Sequence, residues 1–138
     1  MITREQQKIL RENLPPNYRH NILYHPHSVD DKFFTPGNHT GGEYILSVGL
    51  ELRDYACLIP ALVKNGLPAR ILASSAWAPK GTRMYTGEWP GNISRVPRLS
   101  FTALRQLYDR ARFVILPLVP TMQGAGATAA LEAMAMGK

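Results

Sequence analysis

The C-terminal stretch of the sequence constrains its fold more than any other feature. An apolar segment at residues 113–118 is followed by five loop residues, and residues 124–137 then run from Gly and Ala into strong helix formers. Strand, glycine turn and helix, in that order, present backbone amides and a helix N-terminus to a phosphate. Glu132 lies about two turns into the predicted helix, where its carboxylate can reach past a phosphate to sugar hydroxyls. The same pattern is also expected of a helix whose small residues only pack closely on a sheet.

Composition favours one globular domain that binds a phosphate-bearing small ligand. The chain has 138 residues, 45% of them hydrophobic, and a formal net charge of +6. Its basic residues are scattered and no nucleic-acid motif accompanies them, so the charge favours a ligand phosphate over nucleic acid. The single Cys57 excludes an internal disulfide. Residues 1–8 carry charges where a secretory signal needs an apolar stretch, and no apolar run approaches the ~20 residues that a membrane helix needs.

Apolar segments and helical patterns alternate along the chain. Strands are predicted at residues 44–50, 67–73, 92–96 and 113–118. Between them lie two predicted helices, one closed by a C-cap at residues 65–66 and one over residues 100–112. Such alternation predicts an α/β fold, a Rossmann-like parallel sheet with flanking helices. The first of these helices is expected to begin near Cys57, so that Pro60 falls in its first turn. Ser100 is the predicted N-cap of the second. The predicted apolar face of this helix consists of Leu104, Leu107, Tyr108 and Ala111.

The remaining segments, before the first strand of the sheet and between its second and third strands, have separate predictions. Residues 3–14 form a helix in which Thr3 and Gln6 have capping-box spacing, and residues 21–24 form a short strand. His25 and His27 could face one side and ligate a metal, but no third ligand accompanies them, so no metal site is predicted. Residues 74–91 form a long loop without helical period.

Arg53 is the best-placed basic residue for an anion. It follows the first strand, and ligands of open α/β sheets bind outside the carboxyl ends of the strands. The alternative interpretation is a surface Arg paired with Glu51 or Asp54.

Five groups of residues together carry a resemblance to a known family. In chain order they are residues 29–36, 47–55, 104–111, 113–117 and 131–138. Their order and spacing resemble the C-terminal, donor-binding half of a family 4-type (group 1) glycosyltransferase of the GT-B fold. The resemblance implies that residues 43–138 are part of the nucleotide-sugar-binding Rossmann-like domain of an incomplete GT-B fold. It also implies that residues 1–42 are the end of an inter-domain region, with a helix, a short strand and a turn.

The resemblance implies sugar transfer from a nucleotide-sugar donor with retention of configuration and with no metal or other cofactor. The acceptor, whether sugar, lipid or protein, would be held mainly by another domain. The chain is therefore expected to be a fragment that alone binds the donor poorly and transfers nothing. No nucleic-acid partner and no membrane span are expected, and the implied location is cytoplasmic or membrane-peripheral.

Individual residues take family roles by the same resemblance. Glu132 matches the glutamate that binds the donor ribose, and Arg53 stands where the family has a basic residue on the donor diphosphate. Arg98 and Leu99 fall in the loop whose backbone meets the nucleobase. The turn whose amides face the diphosphate corresponds to Gly124, Ala125, Gly126, Ala127 and Thr128.

Two departures from the family pattern leave other functions open. Gly124 replaces the first motif glutamate, and Leu50 stands where an Arg usually follows the strand glycine. Loss of the glutamate motivates a non-catalytic α/β nucleotide-binding or interaction module. Residues 124–129 also match the G-x-G-x-x-A pattern of an NAD(P)-binding oxidoreductase domain, although that fingerprint belongs after the first strand of the unit.

Overall fold

The computed structural model describes residues 3–39, 41–74, 85–121 and 124–138. Most of the predicted loop at residues 74–91 lies outside these ranges. The helices are α1 (Arg4–Asn13), α2 (Pro16–Arg19), α3 (Tyr55–Lys64), α4 (Phe101–Asp109) and α5 (Ala127–Ala135). The strands are β1 (Tyr44–Val48), β2 (Ala69–Leu72), β3 (Ile93–Arg95) and β4 (Ala111–Val114).

The four strands form one parallel sheet in the order β3-β2-β1-β4. This confirms the predicted α/β, Rossmann-like fold. All five residues of β1 are buried, as expected of an inner strand covered on both faces. The chain order reverses between β1 and β4, so a crevice is expected outside the carboxyl ends of these two strands.

Alternate residues of the strands feed two apolar clusters, one on each face of the sheet. Leu46 and Val48 pack with residues of α4 and α5. Ile45 and Ile71 pack with α3 on the opposite face. The two helices that follow β3 and β4 therefore share one face of the sheet. Because the strands are parallel, both helices begin at its carboxyl edge.

The N-terminal segment is partly as predicted. Thr3 caps α1, and Gln6 completes the capping box. The strand predicted at residues 21–24 is wrong, because these residues do not join the sheet. The carbonyl of Ile22 accepts hydrogen bonds from the side chains of Gln7 and Arg11 instead. The short helix α2 was not anticipated, and it begins with a proline at a position that needs no amide donor.

The predicted start of α3 near Cys57 is wrong. Asp54 caps the helix by accepting a hydrogen bond from the Cys57 amide, so α3 begins at Tyr55. Pro60 therefore lies in the second turn, where it removes one backbone hydrogen bond. Burial of Leu58, Ile59 and Leu62 against the sheet offsets that loss.

The predicted boundary between α4 and β4 is also wrong. The helix ends at Asp109 rather than at residue 112, and the strand runs over Ala111–Val114 rather than over residues 113–118. Ala111 pairs with Tyr44 in the sheet and is fully buried. Leu118 forms an isolated antiparallel bridge to Arg53, so the residues after β4 pair with the loop after β1.

Candidate functional site

A cavity of about 650 Å³ lies at the carboxyl edge of the sheet where the strand order reverses. Three segments contribute most of its lining: the end of β1 with the loop after it, the loop before α4 with the start of that helix, and the glycine turn with the first two turns of α5. Gln6 of α1, Leu72 at the end of β2 and Ser74 after it complete the lining. Every site residue predicted from the sequence contributes to this lining: Arg53, Arg98, Leu99, Gly124, Ala125, Gly126, Ala127, Thr128 and Glu132. Folding thus brings together residues that are up to 79 positions apart (132 − 53).

Arg53 is buried, with only 3% of its surface exposed, so the alternative of a surface Arg is wrong. Its Nε and Nη2 donate to the carbonyl of Val48 at 3.3 and 3.1 Å, and Nη1 donates to the carbonyl of Glu51 at 2.8 Å. Burial lowers the pKa of the guanidinium, while Tyr55 and Glu51 act in the opposite direction. These carbonyl dipoles orient the guanidinium and leave its charge available to an anion in the cavity.

Two glycines lie directly against the Arg53 guanidinium. A Cβ built on Gly49 would be 2.7 Å from Nη2, and one built on Gly126 would be 3.5 Å from both Nη atoms. Gly126 is the N-cap of α5, so the cation lies beside the start of that helix. Both glycines have positive φ, +97° and +81°, which side-chain-bearing residues rarely adopt.

The loop after β1 is held by the segment after β4. The Asp54 amide donates to the carbonyl of Pro117 at 2.7 Å, and the Val119 amide donates to the carbonyl of Leu52 at 3.0 Å. Leu52 adopts φ +51°, an uncommon conformation for a residue other than glycine. These contacts fix the backbone on both sides of Arg53 and join the two loops at the reversal of strand order.

The N-terminus of α5 is arranged to accept an anion. Its N-cap Gly126 has no side chain to cap the helix. The first amides of a helix have no intrahelical acceptor, and the helix dipole adds partial positive charge there. With Arg53 beside it, the start of α5 combines a full cation with aligned amide donors on one side of the cavity.

Glu132 is the buried carboxylate of the cavity, with 6% of its surface exposed. Tyr108 Oη donates to its Oε2 at 2.9 Å and is also 3.5 Å from the carbonyl oxygen of Ala129. Burial raises the pKa of Glu132, and the hydrogen bond from Tyr108 and the nearby His27 oppose that rise. The pKa of Tyr108 is raised by burial and by the charge of Glu132, so the phenol remains a donor.

Tyr108 was predicted only as part of the apolar face of α4. It is fully buried, as that prediction requires, but its contact with Glu132 was missed. The one signal in the sequence was the choice of Tyr among aliphatic neighbours, since a buried phenol usually finds a hydrogen-bond partner.

His27 reaches the rim of the site. Its Nε2 lies 2.7 Å from Oγ1 of Thr128, in the first turn of α5. Within residues 3–39, 41–74, 85–121 and 124–138, no group of three or more His, Cys, Asp or Glu side chains could hold a metal ion. The contact between His27 and Thr128 connects the N-terminal segment to α5, which lines the cavity.

Arg98, Leu99 and Phe101 line the wall contributed by the loop before α4. Ser100 caps α4 as predicted, accepting a hydrogen bond from the Ala103 amide at 3.3 Å. Phe101 was not predicted as a site residue, and 72% of its surface is exposed. Helical spacing places Phe101 on the same side of α4 as Leu104 and Tyr108, so the sequence pattern does not predict its exposure.

Comparison with known proteins adds no assignment: no family model matches the chain, and neither does any curated protein. None of the helices in the described part of the chain is long and apolar enough to cross a membrane.

Proposed function

We propose that this chain binds a nucleotide-sugar donor and forms the donor-binding part of a GT-B-type glycosyltransferase that retains configuration and uses no metal. The observation that carries the proposal is the position of the Arg53 guanidinium against Gly126 at the start of α5, in the cavity that Glu132 also lines. A nucleotide sugar has an anionic diphosphate at its centre, with the ribose on one side and the donor sugar on the other. This cavity offers a cationic site and a carboxylate within one α/β crevice.

The chemistry of sugar transfer fits these groups. The leaving nucleoside diphosphate gains negative charge as the bond to the donor sugar breaks. Arg53 and the amides at the start of α5 are fixed donors that would stabilise this charge without reorganisation. They would supply the stabilisation of developing negative charge that a bound metal ion can otherwise supply.

Glu132 is proposed to accept hydrogen bonds from the ribose hydroxyls of the donor. Tyr108 occupies its Oε2, and the carboxylate belongs to the cavity lining. Gly124 lines the same cavity without a carboxylate. The transferred sugar would therefore lack one acceptor that the family resemblance implies, and its recognition would depend on groups outside this turn.

The position of the glycine turn argues against an NAD(P)-binding domain. The G-x-G-x-x-A match lies after β4, and the dinucleotide fingerprint belongs between the first strand and its helix. Here β1 leads into Gly49 and the Arg53 loop instead.

Calorimetric titration of the chain with UDP, GDP, ADP and NAD tests the proposal. We expect one nucleoside diphosphate to bind tightest and NAD to bind more weakly. Arg53→Lys, which loses the planar fork, is expected to weaken that binding by about tenfold or more. The matched control is Arg112→Lys, an exposed Arg on β4 outside the cavity lining. Preference for NAD would overturn the transferase in favour of an oxidoreductase domain, and binding of none would favour the non-catalytic module.

A further inference from the structure

We propose that Phe101 stacks on the nucleobase of the bound nucleoside diphosphate. This inference rests on the proposed function, and it assigns a base-binding side chain to the part of the cavity lined by the start of α4. Among α4 residues, Phe101 and Leu104 line the cavity, next to Arg98 and Leu99 of the preceding loop.

The exposure of Phe101 calls for an explanation. Its exposed fraction is 72%, whereas Leu107 and Tyr108 on the same helix are 6% and 0% exposed. The apolar face of α4 therefore packs on the sheet without Phe101. A large aromatic surface that is open to solvent on the wall of a concave site is available to a ligand.

The position of Phe101 is fixed by its helix. It is the first residue of α4, directly after the Ser100 cap. Because the cap holds the first turn, the backbone at Phe101 is ordered before any ligand binds, and only its side chain needs to settle on a base. A preorganised aromatic surface stacks at a lower entropic cost than one on an unstructured loop.

The arrangement divides recognition of the nucleotide among three walls. Arg53 and Gly126 would hold the diphosphate, Glu132 the ribose, and Phe101 the face of the base. Stacking is tolerant of base identity because every base has a π-face. Phe101 would therefore contribute affinity for any nucleoside diphosphate, and the choice among bases would come from hydrogen bonds to the backbone at Arg98 and Leu99.

The test compares two ligands that differ in the base. The first ligand is whichever of UDP, GDP and ADP binds most tightly, and it carries a base. The second ligand is inorganic pyrophosphate, which has no base and reports on the diphosphate site alone. We expect Phe101→Ala to weaken nucleoside diphosphate binding by about tenfold and to leave pyrophosphate binding unchanged. Phe101→Trp should retain the nucleoside diphosphate affinity, since it keeps the stacking surface. Met134→Ala is the matched control, because Met134 is 70% exposed on α5 and lies outside the cavity lining.

The outcomes distinguish failure of base stacking by Phe101 from failure of the proposed nucleotide-binding function. If the wild-type chain binds a nucleoside diphosphate and Phe101→Ala binds it equally well, stacking is overturned while the proposed function stands. Equal loss of both ligands in Phe101→Ala would also overturn stacking, since it indicates a structural role. If the wild-type chain binds no nucleoside diphosphate, the proposed function fails and this inference fails with it.

Discussion

Two separate features favour glycine at position 49: the positive φ of its backbone and the close approach of the Arg53 side chain. Its φ is +97°, and a Cβ there would lie 2.7 Å from Arg53 Nη2. Gly66 also has positive φ, +60°, but no atom lies within 4 Å of the Cβ position. Comparing substitutions at Gly49 and Gly66 therefore separates the free-energy cost of the positive φ from that of displacing Arg53.

We predict that Gly49→Ala destabilises the protein more than Gly66→Ala. The angle alone costs roughly 1–2 kcal/mol, and displacing Arg53 from its carbonyl partners adds about 1–3 kcal/mol. Urea denaturation of both variants measures the difference. Equal losses would mean that the Arg53 side chain moves aside freely and is not held by its hydrogen bonds.

The hydrogen bond between Tyr108 and Glu132 gives a pH-dependent prediction. Burial raises the pKa of Glu132 above its usual 4.5, and the bond from Tyr108 opposes that rise by stabilising the ionised carboxylate. The contribution of this bond to stability is therefore present above the folded-state pKa of Glu132 and shrinks as the pH falls through it. We expect Tyr108→Phe to cost about 1.5–3 kcal/mol at about pH 8 and less at about pH 4.

The control for this prediction uses Glu132→Gln, which cannot ionise. Because the raised pKa means that the charged carboxylate destabilises the fold, Glu132→Gln should gain stability relative to wild type as the pH rises. In its background, the cost of Tyr108→Phe should not depend on pH. Denaturation curves at the two pH values decide this, and a pH-independent cost in the wild-type background would contradict the assignment.

For individual residues, the sequence predicted which side chains lie at the site better than it predicted which side chains contact each other. Arg53 follows a strand and Glu132 lies in the helix after another strand, and both could be placed because the carboxyl ends of parallel strands meet at one edge. The contact of His27 with Thr128 joins residues 101 positions apart, and no local pattern encodes it. The exposure of Phe101 likewise depends on how α4 sits on the sheet.

Helices α4 and α1 both have side-chain N-caps but differ in how much they contribute to the core. Ser100 caps α4, which buries Leu107 and Tyr108 in the core. Thr3 caps α1, which buries no side chain. Loss of a cap should affect global stability only where the helix contributes to the core.

We therefore predict that Ser100→Ala lowers the free energy of global unfolding by about 1 kcal/mol. Thr3→Ala should leave it unchanged and should only increase amide exchange within α1, because that helix can fray by itself. Urea denaturation with hydrogen exchange measures both effects. A similar loss of global stability in the two variants would show that α1 unfolds together with the sheet.

At the element scale, alternation of strands and helices was predictable, and element ends were not. The apolar pattern of α4 continued through Ala111, yet Ala111 belongs to β4 because Tyr44 pairs with it across the sheet. Similarly, residues 117–118 looked like strand but pair with the Arg53 loop. Tertiary pairing overrode the local pattern in both places.

For the whole molecule, the strand order β3-β2-β1-β4 creates the site. Alternation in the sequence predicted parallel strands but not their order, since order depends on which crossovers pack on which face. The reversal between β1 and β4 brings the Arg53 loop against the α5 turn. The proposed function depends on this juxtaposition, and the glycine turn would be only a packing motif without it.

The most direct test of the account is a nuclear magnetic resonance titration of the isotope-labelled chain with a nucleoside diphosphate. The account predicts that the amide resonances of Gly124, Gly126 and Thr128 shift together and saturate. Those of Gly66 and Gly91, which lie outside the cavity lining, should not move. Saturable shifts confined to other parts of the chain, or none at any concentration, would contradict the assignment of this cavity to a nucleotide.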